Sequence, residues 1–372
     1  MAVKAVLILT AGFGEGHNAA ARNLAEGLRA ADPQLRVEVH DVFLEAYGWM
    51  NRLVQRGYLA VINHAPALWS LIFALLDRIP IGRGIGIFGR AVRHLSAMLR
   101  TFQPDVVVST YPGNGYLLDL LHRDGVRPFR TITIVTDSLT INTVWHRCHS
   151  DYFLVPNDAT AAVMREAGVP DDKIRTTGFP VPLLFSDPST AREVPPAGSR
   201  WQVLYMVNSS HHLAPEIVRA ILPLADVALT VTVGRDNVLA GRLEALSKET
   251  GCPLEIHGWT PEIPHLIRRS HLLISKAGGA TVQEALAART PMVVTQIVPG
   301  QEEGNARLLI ESGAGELATS AAAIAAAVRR TFAGDAAVFR QRFEATGALS
   351  HPDAARAAAR FILSCDPPSA AG

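Results

Sequence analysis

Short apolar segments, each running into a loop of small residues and then a helical pattern, recur in two series along the chain. This alternation limits the folds open to it. In the first half Ala5–Thr10, 35–42, 105–109, 131–136 and Tyr152–Val155 read as strands. In the second half 202–207, 228–233, 254–257, Leu272–Ser275 and 292–296 do the same. Several of these segments are apolar throughout, as a strand covered on both faces must be. With helical stretches between them (18–30 is the first), they predict α/β architecture built on doubly wound parallel sheets. Residues 186–200, rich in Pro, Ser and Ala, have the composition of a linker. A chain of 372 residues is long enough for two cores. The predicted division is 1–185, the linker, 201–345, and a C-terminal helix and tail over 346–372, with 366–372 disordered.

Composition removes several classes of function. Lys and Arg total 35 against 34 Asp and Glu, a formal charge of +1, so no global field draws in nucleic acid. Cys148, Cys252 and Cys365 are far apart and form no CxxC. A disulfide framework or zinc knuckle is therefore not expected, and a reducing cytosol is the natural setting. No apolar run reaches the ~20 residues of a membrane span. Between 57 and 99, however, the pattern turns apolar and carries Arg78, Arg83, Arg90 and Arg93. It reads either as ordinary core helices or as an insertion that dips into a membrane surface while its arginines meet anionic headgroups.

The chemistry-bearing residues sit where the strands end. After the first strand comes Ala11-Gly12-Phe13-Gly14-Glu15-Gly16-His17. A dinucleotide fingerprint would need glycine where His17 stands, so the later Asp41 does not make this a nicotinamide site. The loop supplies flexible backbone at Gly14 and Gly16, free amides at a helix start, and an imidazole. His17 reads as a polar helix cap or as a group taking a proton from an acceptor hydroxyl. Asp137, at the end of the strand 131–136, is either a helix cap or a ligand-facing carboxylate, because parallel sheets bind ligands at their C-terminal edge. His146, nearby, reads as structural.

The second half holds the denser signal. Ser275-Lys276-Ala277-Gly278-Gly279-Ala280-Thr281 follows a buried strand and opens a helix carrying Glu284. Small residues and amides at a helix start suit a diphosphate, and Glu284, one turn on, suits ribose hydroxyls. Pro299-Gly300-Gln301-Glu302-Glu303-Gly304-Asn305 follows the neighbouring strand and offers amide and carboxylate groups to sugar hydroxyls.

These blocks resemble those of the monogalactosyldiacylglycerol synthases and processive diacylglycerol glucosyltransferases, relatives of the GlcNAc transferase that makes lipid II. The resemblance runs from Val3 to about Leu317. It implies a GT-B fold of two Rossmann-like domains facing a cleft, acceptor-binding first and nucleotide-sugar-binding second. It also implies inverting, metal-independent transfer of glucose or galactose from a UDP-sugar to diacylglycerol, without a cofactor. Carried over by position, His17 and Asp137 are the acid/base residues and Glu284 holds ribose. Gly278, Gly279 and Ala280 hold the diphosphate, with Lys276 and Thr281 beside them, and Gln301 and Glu302 hold the sugar. His257-Gly258-Trp259 matches a stretch flanking the uracil. The enzyme is then expected at the inner face of the cell membrane, peripheral and cytoplasmic. One departure is Asn208-Ser209-Ser210-His211-His212, where family members carry a glycine-rich loop. Ser209 and His211 stand there as replacement donors to a phosphate, since side chains crowd the approach that glycine allows. A UDP-sugar epimerase and a non-catalytic nucleotide-sugar or lipid-binding protein are the alternatives to the transferase.

Overall fold

The computed structural model describes residues 2–64, 88–122, 129–187, 199–208, 211–298, 300 and 302–366. Outside this set fall the centre of the apolar arginine-dotted stretch (65–87), most of the linker, the tail from 367, and Ser209, Pro299 and Gln301. The chain separates into two compact units. The first comprises 1–183, 299–304 and 353–372, the second 184–298 and 305–352.

The first unit is a six-stranded parallel sheet: β1 (Ala5–Thr10), β2 (Arg36–Asp41), β3 (Val106–Ser109), β4 (Arg130–Ile134), β5 (Tyr152–Val155) and β6 (Ile174–Thr176), ordered β2-β1-β3-β4-β5-β6. Every residue of β1 is buried, as the unbroken apolar run requires of a central strand. Its side chains alternate between two cores. Val6 and Ile8 join Leu24, Leu28, Val106, Val108 and Ile362 on one face. Leu7 and Leu9 join Val42, Leu95, Leu99 and Leu117 on the other. The first face is covered by α1 (Glu15–Ala31) and by α14 (Ala354–Ser364) from the far end of the chain. These two helices approach so closely that a Cβ on Gly27 would lie 2.6 Å from the Ala355 carbonyl oxygen. The other face is covered by α2 (Val42–Tyr47), α4 (Gly89–Phe102) and α5 (Pro112–His122). Helix α3 (Trp49–His64) lies between α2 and the stretch outside the described residues, and α6 (Asp158–Glu166) follows β5.

The second unit repeats the plan. Strands β7 (Trp201–Met206), β8 (Val227–Thr232), β9 (Glu255–His257), β10 (Leu272–Ser275), β11 (Met292–Val294) and β12 (Gly315–Leu317) form a parallel sheet ordered β12-β11-β10-β7-β8-β9. Its α-helices are α7 (Ala214–Ile221), α8 (Asn237–Thr250), α9 (Ile263–Arg269), α10 (Gly279–Ala287), α11 (Glu303–Glu311, whose first two residues belong to the first unit), α12 (Ala321–Phe332) and α13 (Ala337–Ala348). Its core is aliphatic apart from an aromatic cluster in which Trp201 stacks on Phe332 with centroids 4.4 Å apart.

Several boundaries differ from the sequence expectation for local reasons. The first helix begins at Glu15, not 18, so His17 lies in its first turn. Strand β4 ends at Ile134, which leaves Thr136 and Asp137 on the loop beyond it. Strands β6 and β12 are three residues each, too short to show a period.

Candidate functional site

In the first sheet, β2 and β3 lie on opposite sides of β1, so the strand order reverses there and the loops after β1 and β3 part. Such switch points are where doubly wound sheets open a crevice. The loop after β1 is held by Asp41, whose Oδ2 accepts from the Gly12 amide at 2.8 Å while Oδ1 caps α2 through Leu44 N at 2.9 Å. Gly14 then turns with φ +129°, a conformation side chains disfavour, and starts α1.

Helix α1 thereby delivers His17 to the switch point, 7% exposed. Its Nδ1 donates to the Thr110 carbonyl oxygen at 2.8 Å, and Thr136 Oγ1 lies 3.0 Å from the same nitrogen. Thr110 is held in turn by its own amide on Leu9 O and its hydroxyl on His17 O. A carbonyl oxygen can only accept, so Nδ1 carries the proton and Nε2 keeps the lone pair. The Tyr111 ring meets the imidazole edge-on at 5.1 Å, and the Trp145 ring lies 5.9 Å away. Burial lowers the His17 pKa to about 4, against a raising contribution from the Thr110 carbonyl. The ring is therefore neutral at physiological pH.

Asp137, half-buried beyond β4, accepts from Trp145 Nε1 at 2.8 Å through Oδ2. Burial raises its pKa to about 6, and the indole bond works against that shift. One indole thus touches both predicted acid/base residues, bonding the carboxylate and packing near the imidazole.

The second sheet reverses order at β7, between β8 and β10. Here Asn208 Nδ2 donates to Ser275 Oγ at 2.8 Å, tying the loops after β7 and β10 together. Asn208, in the segment that departs from the glycine-rich pattern, is thus a brace between two loops. Gly278 caps α10 with extended backbone and no side-chain cap, so the amides of Gly279, Ala280 and Thr281 head the helix. Ser275 is fully buried, while Lys276, Glu284 and Thr281 are partly exposed. Asn305 is buried, its Nδ2 donating to Ala277 O at 3.3 Å.

The remaining predicted donor residues are dispersed. His211 Nδ1 pairs with Asp236 at 2.9 Å, the residue that caps α8, so this ring nitrogen is already engaged. His257 Nε2 is bound by Glu255 at 2.6 Å. Trp259 is 67% exposed, with the Arg235 guanidinium 5.7 Å from its ring centre. Gly300 has φ +78°, and Glu302 is buried within the first unit together with Gly304. A Cβ on Gly304 would collide with Ser138 O and Thr140 N, so only glycine fits there. A pocket of about 380 Å³ in the second unit is lined by Tyr205, Leu213, Thr295 and Leu317 among others, and by none of the predicted donor residues.

Sequence reading missed Thr110, Trp145 and Asn208 as supporting groups. Thr110 acts through its backbone carbonyl, 93 positions from His17, and leaves no signal in residue type. Trp145 was visible only as an aromatic eight residues after Asp137.

Comparison with known proteins gives the same two halves. Residues 17–181 match the monogalactosyldiacylglycerol (MGDG) synthase family model, and residues 210–334 match the glycosyltransferase family 28 C-terminal domain. The processive diacylglycerol beta-glucosyltransferase of Bacillus subtilis is 26% identical over 321 residues, 84% of this chain and 82% of its own length. That of Bacillus cytotoxicus is 26% identical over 374 residues, 96% and 93% of the two chains. Among solved structures, MurG of Acinetobacter baumannii superposes with a TM-score of 0.63 at 16% identity, covering 97% of this chain and 100% of that one. The UDP-GlcNAc 2-epimerase of Neisseria meningitidis, solved with UDP-GlcNAc, gives 0.60 at 14%, covering 97% and 100%. These likenesses show the GT-B fold, which epimerases and transferases share; the sequence relatives are transferases.

Proposed function

We infer that this chain, a glycosyltransferase of the MGDG synthase and family 28 kind, moves glucose or galactose from a UDP-sugar to the hydroxyl of diacylglycerol, with inversion. The observation that carries the reading is the neutral His17 at the first switch point, its Nδ1–H fixed on a backbone carbonyl and Nε2 left to accept a proton.

The acceptor oxygen attacks the anomeric carbon from the face opposite UDP. The bond to the diphosphate oxygen breaks, and UDP departs with the electron pair. The hydroxyl proton passes to His17 Nε2. As imidazolium forms, the Thr110 carbonyl holds Nδ1–H and the ionised Asp137, behind Trp145, supplies compensating charge. A base with a pKa near 4 suffices because the attacking hydroxyl turns strongly acidic as its bond to carbon forms. The charge on the leaving diphosphate is met by the Gly279–Thr281 amides and Lys276, without a metal ion. Glu284 takes the ribose and exposed Trp259 lies against the base, while Gly300, Gln301 and Glu302 read the sugar.

The lipid is met at a membrane surface. No helix among the described residues is long and apolar enough to cross a bilayer. Helix α3 instead exposes Trp49, Met50, Leu53 and Val54, with exposed Arg52 and Arg56 among them. Apolar side chains flanked by arginines suit an interfacial helix on anionic lipid. The free Cys148, Cys252 and Cys365 fit a cytoplasmic position. The double variant Trp49→Glu, Leu53→Glu should lose most co-sedimentation with vesicles containing phosphatidylglycerol while releasing UDP normally in detergent micelles. Undiminished sedimentation would remove this face from the membrane contact.

The direct test is purified protein with UDP-glucose or UDP-galactose, with and without diacylglycerol in mixed micelles and with a chelator present. Diacylglycerol-dependent UDP release with a glycolipid product is expected. UDP release that ignores the lipid, or an interconverted UDP-sugar, would refute the assignment.

A further inference from the structure

Helix α3 is amphipathic in the wrong sense for a soluble surface. Its apolar residues at 49, 50, 53 and 54 point outward, whereas Asn51 is 5% exposed and Gln55 is partly buried. Asn51 and Gln55 are four residues apart, so they share the inner face. Both amide nitrogens, Asn51 Nδ2 and Gln55 Nε2, are buried and have no hydrogen-bond partner among the described residues. Buried donors are rarely left so, and two on adjacent turns call for an acceptor that the described residues do not supply.

What they adjoin is the loop that leads to His17. A Cβ built on Gly12 would lie 2.6 Å from Gln55 Nε2 and 3.3 Å from Asp41 Oδ2, so amide, carboxylate and glycine backbone meet there. The next turn of α3 continues the link: Tyr58 meets Phe13 edge-on at 5.7 Å, Phe13 stacks on Tyr111 at 5.6 Å, and Tyr111 abuts His17. We propose that the inner face of α3 is a subsite for the uncharged oxygens of the acceptor head group, with the Asn51 and Gln55 amides as its donors. The proposal rests on the lipid-acceptor reading above and adds residues and a ligand chemistry to it.

The chemistry selects the ligand. Both groups donate, so the partner must present acceptor oxygens. The Asp41 carboxylate beside Gln55 repels a phosphate but tolerates an ester carbonyl or hydroxyl oxygen. The arginines of α3 are exposed, and an anionic headgroup is met there. A helix is roughly 10 Å across, so one helix separates a lipid-facing surface from the head-group subsite on its inner face. The diacylglycerol would leave its chains in the lipid layer outside α3 and bring its ester and hydroxyl oxygens past Asn51 and Gln55 toward His17.

Asn51→Leu and Gln55→Met test this in the full-length protein, because each removes the donor and nearly keeps the shape. Each is expected to raise the KM for diacylglycerol about tenfold, the usual worth of one buried hydrogen bond. The KM for the UDP-sugar and its slow hydrolysis without lipid should stay unchanged. The melting temperature should hold or rise, since an unpaired buried donor is replaced by an apolar group. An unchanged KM for diacylglycerol, or a fall in melting temperature with both KM values rising, would make the amides structural and overturn the subsite. A wild-type preference for a phosphate-headed acceptor, lost in both variants, would overturn the ligand chemistry. A wild-type protein inactive on every glycerolipid would instead bring down the acceptor reading, and this subsite with it.

Discussion

His17→Ala is expected to lower kcat by about 10²–10⁴-fold, the usual range for removing a general base, while UDP binding measured by calorimetry stays within about twofold. The split follows from placement. His17 belongs to the first unit, whereas the α10 helix start and Glu284 belong to the second. The loss should be in the chemical step, where the imidazole takes the proton of the acceptor hydroxyl. Nδ1 is committed to the Thr110 carbonyl, and Nε2 remains to take the proton. Truncation also leaves a hole beside Tyr111 and Trp145, so part of any loss could come from a disturbed fold. His17→Gln separates the two effects. Its amide can still reach toward the Thr110 carbonyl and fill space, but it takes up no proton near neutral pH. It should melt closer to the wild type than the alanine variant and be equally inactive. Turnover within tenfold of the wild type in either variant would end the catalytic assignment.

The elements legible in the sequence share a physical cause. Strand β1 and the Leu272–Ser275 strand are buried on both faces, so their apolar runs are unbroken, and the small residues after them mark the sheet edge where amides face a ligand. His17 stood out as an imidazole directly after a glycine loop, where a polar helix cap and a proton acceptor read alike; in the structure it lies in the first turn of α1 with Nδ1 on the Thr110 carbonyl. The supporting contacts were not legible, since they are made by backbone or by distant partners. Thr110 serves through a carbonyl, which every residue possesses. Asn208 braces Ser275 across 67 positions, so what reads as a lost glycine loop is a different means of fixing it. Helix α14 covers the same face as α1, although it follows the whole second unit, and its Ala-rich pattern says only that something packs closely against it. The tight fit at Gly27 shows what does.

Asp137→Asn should give a protein that is more stable at pH 7 and less active, a combination a merely structural aspartate would not produce. Its carboxyl pKa is raised from 3.8 to about 6 by burial. Between about pH 4 and 6 the folded chain holds a proton that the unfolded chain has released, so stability falls as pH rises through that window. Above it the cost is complete, on the order of 1–3 kcal/mol. Asparagine can still accept from Trp145 Nε1 and carries no charge, so that cost disappears. His17 has the opposite linkage. Its folded pKa of about 4 lies below the ordinary 6.5, so the unfolded chain takes up the proton first and stability is lost as pH falls from about 6.5 to 4. In the wild type the two trends largely cancel between pH 4 and 6. In Asp137→Asn only the histidine's remains, and the melting temperature should drop more steeply on acidification than in the wild type. Activity separates the groups in the same way. The acid limb of kcat/KM should lie near pH 6 in the wild type, where Asp137 loses its charge, and move toward 4 in the variant, where His17 protonates. Neutral-pH turnover should fall about 10–10²-fold, because imidazolium forms without its compensating carboxylate. A variant that melts lower at pH 7 and keeps the wild-type acid limb would show Asp137 to be a structural anchor for Trp145. The proton would then be handled by His17 and Thr110 alone.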